Sequence, residues 1–204
     1  MTEEVIRAEE SVNQPVKMET KSAIEQKINA DRDLSNADMS GMNLAGMSFA
    51  GLKMTNANLA NADVSGGTFA GLDAAAANLS NANLSGAKIM GVNLAGAVLR
   101  KVQLAAAKIL GVNLGDADLS DADMVDVKLM GTSLEGAVVT NANLTGGKVV
   151  GSNFKNADFT NAALTATTMK RVDVTDADFT DVDTTGARAG GVDWSKAKVP
   201  PDQL

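Results

Sequence analysis

The chain has 204 residues and is acidic, with 18 Lys and Arg against 25 Asp and Glu and a formal net charge of -7. It contains no Cys and no His, which excludes disulfides, a thiolate nucleophile and zinc-ribbon spacing, and removes the commonest general base and metal ligand. No apolar run is long enough to cross a bilayer and MTEEVIRAEE has no apolar h-region. The expected location is therefore cytoplasmic, which is compatible with export by a route that needs no cleaved signal.

Residues 1–18 are polar, include Pro15, and read as an N-terminal arm, mobile or carrying a short helix at TEEVIRAEE. Residues 19–30 read as a capping helix. Ser22-Ala23-Ile24-Glu25 has the S-x-x-E form of a capping box, and Ile24 and Ile28 lie one turn apart on one face.

From residue 31 to 199 a five-residue period dominates. A central slot runs Leu34, Met39, Leu44, Phe49, Met54, Leu59 and on to Trp194 and Val199, 34 consecutive pentads in one register. Two residues before each centre lies a small slot, and half of these 34 positions are Ala, as at Ala37, Ala57, Ala77, Ala117 and Ala122. A spacing of two puts both side chains on one face of an extended segment, so large centre and small Ala fill a narrow interior together. The residue between them is mostly Asp, Asn, Lys, Ser or Thr and is expected to face solvent. Two residues after each centre, positions 36 to 196 hold 15 Gly and 7 Asn among 33. That composition predicts a tight turn of type II, which needs φ > 0 at its third residue. Sides of five residues turning in one sense close a square in 20 residues. A 20-residue period appears independently in Lys88, Lys108, Lys128 and Lys148, and in Gly-Val-Asn-Leu at 91–94 and 111–114. The result is an all-β solenoid of about 8.5 coils, a rod of roughly 40 Å at a strand spacing of ~4.8 Å.

NADMS, NANLA, NANLS, DADLS, NANLT, NADFT and DADFT match the A(D/N)LXX motif, and residues 31–199 resemble the pentapeptide-repeat family. The resemblance implies a right-handed quadrilateral parallel β-helix; handedness comes from the family and not from the spacing. All five Phe occupy centres, and Phe49 with Phe69 and Phe159 with Phe179 are 20 apart, so each pair should stack as core. Trp194, Val199 and Pro200-Pro201 are expected to close the far end, with 200–204 as a tail.

Function, if any is legible, lies on the outer faces. The most distinctive carries Lys88, Lys108, Lys128 and Lys148 beside Met90, Leu110, Met130 and Val150. Stacked like charges repel and an apolar stripe costs solubility, so this face is the candidate protein interface, for a partner or for self-association. A second candidate is the acidic patch Asp116, Asp118, Asp121, Asp123 and Asp126, followed later in the chain by Asp173, Asp176, Asp178, Asp181 and Asp183, with several of these expected on two adjacent faces away from the lysines. Its D-x-D-x-x-D spacing does not match an EF-hand. No nucleophile–base pair and no phosphate loop is present, so the chain reads as no enzyme, with no cofactor, metal or catalytic residue. Net charge and the lack of surface aromatics argue against direct nucleic-acid binding.

The expected function is a non-enzymatic interaction scaffold or adaptor. Its lead-in IEQKINADRDLSNADMSGMNLAGMSF resembles the helix-then-repeat start of pentapeptide tails on type VI secretion accessory proteins. The alternative is a DNA-mimicking regulator of type II topoisomerases of the quinolone-protection type, a role known within the family. Two features weigh against it: Asn141, Asn143, Asn156 and Asn161 interrupt the acid, and the chain after Trp194 is too short for the helical dimerisation module of gyrase-binding members.

Overall fold

The computed structural model describes residues 15–201. Within that range every coil is held to the next by parallel backbone bridges 20 residues apart, which build four ladders. Side 1 stacks Asp33, Lys53 and so on to Asp173. Side 2 stacks Asp38 to Asp178 and ends at Val199, and side 3 stacks Asn43 to Asp183. Among the described residues side 4 alone has three-residue strands: β3 (Ser48–Ala50), β4 (Thr68–Ala70), β5 (Lys88–Met90), β6 (Lys108–Leu110), β7 (Lys128–Met130), β8 (Lys148–Val150), β9 (Thr168–Lys170) and β10 (Arg188–Gly190), in unbroken order. The chain is thus a quadrilateral parallel β-solenoid of about nine turns.

Each side donates in both directions. Leu34 N–H reaches Lys53 C=O at 2.7 Å and Asn58 N–H reaches Ala37 C=O at 2.9 Å, and the pattern repeats up the rod. The interior is a column of centres and small slots, nearly all fully buried. Among the described residues no buried side-chain polar atom lacks a partner; Thr167 Oγ1, for instance, donates to Leu144 C=O at 2.9 Å. Phe49 stacks on Phe69 at 5.1 Å and Phe159 on Phe179 at 5.1 Å, as the spacing requires.

The corners differ from one another. Three per coil close with an N–H to C=O bond across the turn, as in Ala37 to Leu34 (3.0 Å), Met42 to Met39 (3.3 Å) and Met47 to Leu44 (3.0 Å). Among the described residues no such bond closes the fourth corner, the one that follows side 4. The small slot responds. After the first corner it is Ala in every coil from Ala37 to Ala197, but after the open corner it is Leu52, Leu72, Val92, Val112, Thr132, Ser152, Val172 and Val192. Branched residues are not exclusive to it: Val102 and Val127 follow corners closed by bonds of 3.1 Å to Leu99 and Met124, but only after the open corner is Ala absent throughout.

The Asp and Asn residues beside each centre are exposed to solvent on one side, yet they also close the turn. Asp33, Asp38, Asn58, Asp63 and Asn78 each accept from the N–H two residues on, at 2.8 to 3.2 Å. This is an Asx turn, and it is the physical reason for D/N in the repeat. Amides also bridge coils: Asn93 Nδ2 donates to Asp73 at 2.9 Å, and Asn113 Nδ2 to Asn93 at 3.1 Å.

Both ends depart from expectation. Helix α1 (Lys21–Asp31) is capped by Thr20, whose Oγ1 accepts from Ala23 N–H at 3.1 Å. Ser22 lies inside the first turn, so the expected box at 22–25 does not form; Ala23 occupies the position where a reciprocal Glu would be needed. Ile24 is fully buried on the first coil and Ile28 packs beside it. The expected arm at 1–18 is shorter: β1 (Val16–Lys17) pairs in parallel with β2 (Ala37–Asp38), and Met18 is buried. The rest of that expectation, residues 1–14, lies outside the described residues. Arg32 ties α1 to the first open corner, its Nη2 donating to Ala50 C=O at 2.6 Å. At the far end a 3-10 turn (Trp194–Lys196) adds one residue, so Asp178 pairs with Val199 and not with residue 198. Ala197 still closes its turn on Trp194 and Lys198 N–H still reaches Ala177 C=O at 2.9 Å, so the register shifts only from Val199 onward. With no further coil to match, the chain curls and sets the indole edge-on to Phe179 at 5.2 Å.

Ala122, fully buried in a small slot on side 3, tests this packing. Ala122→Leu should cost about 1–3 kcal/mol in urea unfolding; a neutral result would mean the slot faces outward.

Candidate functional site

On side 4 the sheet register sets Lys88, Lys108, Lys128 and Lys148 directly opposite one another, one per rung. The same register stacks Met90, Leu110, Met130 and Val150 two residues along each strand. All four lysines are exposed, and Met90 (39%), Leu110 (48%) and Met130 (42%) are among the few exposed large hydrophobics. Val150 is half-buried, so the stripe is weaker at its upper end. Alignment is a consequence of the fold: a coil of constant length returns each slot to the same height on the same face. Ala50 and Ala70 extend the apolar row downward, Thr68 and Thr168 bracket the lysines, and Lys170 ends the apolar row above.

Among the described residues the ion pairs are Lys27–Asp31, Arg100–Asp118, Lys196–Asp193 and Lys198–Asp178. None involves a ladder lysine. Four ammonium groups at ~4.8 Å spacing are thus left facing solvent and one another.

A feature that the period of five hides is the composition of the corners beside this face. The open corner reads Gly51, Gly71, Gly91, Gly111, Gly131, Gly151, Arg171 and Gly191, and the corner leading in reads Gly46, Gly66, Gly86, Ala106, Asp126, Gly146, Ala166 and Gly186. The two remote corners carry mostly Asn, Asp and Lys in the same slot. Those residues hold the same left-handed backbone, for example Asn56 at φ 56° and Asn61 at φ 59° against Gly91 at φ 58°. Left-handed geometry by itself therefore does not demand Gly, and the flanks of side 4 are kept nearly free of side chains.

The acidic candidates are not a compact patch. Asp116, Asp121 and Asp126 sit at three successive corners of one coil, while Asp118 and Asp123 lie on sides 2 and 3 between them. They form a belt, and Asp126 stands at the corner entering side 4, not away from the lysines. The belt is not continued along the rod: Asp118 stacks on Val98 and Val138, and Asp123 on Gln103 and Asn143. Two of the five are turn-closing carboxylates, Asp118 accepting from Ser120 N–H at 3.0 Å and Asp123 from Val125 N–H at 3.2 Å. Asp118 is the most sheltered. Burial pushes its pKa up, but the Ser120 hydroxyl and N–H and the Arg100 guanidinium outweigh this and hold it below the usual range. Asn141 Nδ2 donates to Asp121 at 3.1 Å. Among the described residues no cluster of acidic side chains converges to hold a metal ion, and no helix is long and apolar enough to cross a membrane. Inside the rod a narrow apolar cavity of about 20 Å³ lies among the central coils, lined by residues such as Phe69, Leu94 and Ile109.

The family model for pentapeptide repeats matches the sequence in eight copies, over residues 33–71, 69–104, 97–136, 137–176 and 157–193. No curated protein matches. Among solved structures, the chain is similar to HetL, a pentapeptide repeat protein involved in heterocyst differentiation regulation in the cyanobacterium Nostoc sp. strain PCC 7120, at 20% identity over 92% of this chain and 99% of that one, TM-score 0.31. It is similar to QnrB1, a plasmid-mediated fluoroquinolone resistance protein, at 20% identity over 74% and 86%, TM-score 0.49. A third is Rfr23 of the cyanobacterium Cyanothece 51142, at 16% identity over 86% and 99%, TM-score 0.29.

Turn-closing carboxylates also set the response to acid. The Thr175, Thr180 and Thr185 hydroxyls hold Asp173, Asp178 and Asp183 below their ordinary pKa, and Ser35 and Ser40 do the same for Asp33 and Asp38. Protons bind these groups more readily in the unfolded chain, so the stability they contribute is present above about pH 4 and is lost as pH falls through their lowered pKa values. Thermal melts followed by circular dichroism should show a constant Tm from about pH 7 to 5 and a fall below about 4; a Tm that rises on acidification would contradict this.

Proposed function

The chain belongs to the pentapeptide-repeat family, and from that premise we propose that it is a non-enzymatic scaffold that holds a protein, or a second copy of itself, on side 4. The observation that carries this is the coincidence of three rows at one register: exposed lysines with no ion-pair partner among the described residues, an exposed apolar stripe, and corners that hold Gly or Ala in nearly every coil. Exposed apolar residues rimmed by charge mark interaction surfaces. Glycine is concentrated at the two corners beside this face, with Gly41, Gly96 and Gly136 as its three places at the remote corners. The pathway attached to this reading is contractile type VI secretion, with the chain as adaptor or cargo partner. Its support is the resemblance of residues 24–49 to the start of pentapeptide tails on accessory proteins of that system.

The alternative, a DNA mimic acting on a type II topoisomerase, draws on the acidic composition. It has less support, because a mimic needs carboxylates repeated along the rod, whereas Asp116 to Asp126 encircle one coil and Asp118 is paired with Arg100.

Met90→Asp, Leu110→Asp and Met130→Asp together should abolish self-association in sedimentation and partner capture in pull-downs, with the Tm little changed. Association that survives the triple variant would rule out side 4. Purified protein at micromolar concentration should neither bind gyrase nor alter DNA supercoiling; inhibition of supercoiling would favour the mimic.

A further inference from the structure

Side 4 also carries information about the shape of what covers it. We propose that its occupant is an amphipathic α-helix of a partner protein, lying along the rod axis with a row of Glu or Asp against the lysines and an apolar row against Met90, Leu110 and Met130. The proposal rests on the reading of side 4 as an interface and specifies its partner.

Charge gives the first argument. Four lysines in one column have no carboxylate partner among the described residues, so a docked surface must supply a column of acid or leave like charges crowded together and desolvated. A second copy of the chain does not supply one. Its acidic belt runs around a coil and not along the axis, and its own side 4 offers lysines or an apolar row, neither of which neutralises an ammonium.

Spacing gives the second. Rungs repeat at ~4.8 Å, and a helix laid along the axis presents one residue per turn on each row at ~5.4 Å. Over the three steps from Lys88 to Lys148 the two repeats drift apart by only about 2 Å, well within the reach of a lysine side chain. An extended strand laid the same way presents side chains on one face every ~6.7 Å and loses register by about 6 Å over the same steps. Across the face the lysine and apolar columns are two residues apart on each strand, roughly 7 Å, comparable with the separation of neighbouring rows on a helix surface.

Room gives the third. A helix with its side chains is about 10 Å wide, broader than a three-residue strand, and must overhang both corners. Those corners carry Gly or Ala in every coil except at Asp126 and Arg171. At Gly91, Gly111, Gly131 and Gly151 even the space around an added Cβ is empty. The apolar row from Ala50 to Val150 covers six rungs, five steps of ~4.8 Å or ~24 Å, which is the length of a helix of roughly 16 residues.

The test uses the full chain and a designed, fluorescein-labelled helical peptide of roughly 18 residues, with Glu at i, i+4, i+7 and i+11 beside a parallel Leu row. Its controls are a scrambled peptide of the same composition and a charge-reversed peptide with Lys in place of Glu. Anisotropy at about 0.15 M salt should show the ordered peptide binding at least about tenfold more tightly than either control. Lys108→Glu with Lys128→Glu leaves two positive and two negative groups in the column and should abolish the preference for the acidic over the charge-reversed peptide; folding of the variant is checked by its melt. Equal binding of ordered and scrambled peptides, or binding indifferent to the lysine reversal, would overturn the helical partner. If the Met90, Leu110 and Met130 variant still loses association while the peptide fails to bind, side 4 remains an interface and its occupant is not an acidic helix. If both fail, the reading of side 4 falls with it.

Discussion

Backbone pairing between coils is the constraint on which everything else depends. Each side of the square hydrogen-bonds to the sides 20 residues before and after it, which satisfies backbone N–H and C=O groups that burial would otherwise leave unpaired. Coil length is therefore held constant from Asp33 to Asp183, and every slot recurs at a fixed height and azimuth. Where the length changes, at the 3-10 turn of residues 194–196, the solenoid ends. A one-residue insertion elsewhere would turn every later inward side chain outward, as in any sheet whose register slips.

Constant coil length divides the residues into those that packing and turns consume and those left over. Centres and Ala slots fill the interior. The carboxylates and amides of the Asp and Asn beside the centres close turns and bridge coils. Much of the acidic character of the chain is thereby structural, which is why a count of Asp residues is a poor guide to function here. What remains unconsumed is concentrated on side 4, the side with the longest strands and the open corner.

Period, coil length and aromatic stacking were legible in the sequence because each follows from side-chain size at one position. Other features depend on geometry that residue identity does not encode. Asp38 and Asp63 look like solvent-facing polar residues until the turn brings the N–H two residues on within 3.0 Å. Thr20 and Ser22 are equally good caps on composition, and only the path of the chain from Met18 onto the first coil selects Thr20. The open corner left a mark in the sequence, the absence of Ala from the slots Leu52 to Val192, which becomes visible when the chain is read in columns of 20. The same columnar reading exposes the glycine rails. At period five they merge with the turn glycines, and Asn56 or Asp176 at the same φ shows that turns do not require them.

The central claim is that those rails exist for a partner and not for the turn. Gly91→Asn, Gly111→Asn and Gly131→Asn, combined in one variant, test it most directly, since Asn holds this backbone at other corners and the space is open. Calorimetry of the variant against wild type, first by thermal unfolding and then by titration with the acidic helical peptide, separates the two roles. The account predicts a Tm within a few degrees of wild type and loss of binding. Binding that persists, or a rod that no longer folds, would show that the glycines serve the backbone and that side 4 is not shaped for an occupant.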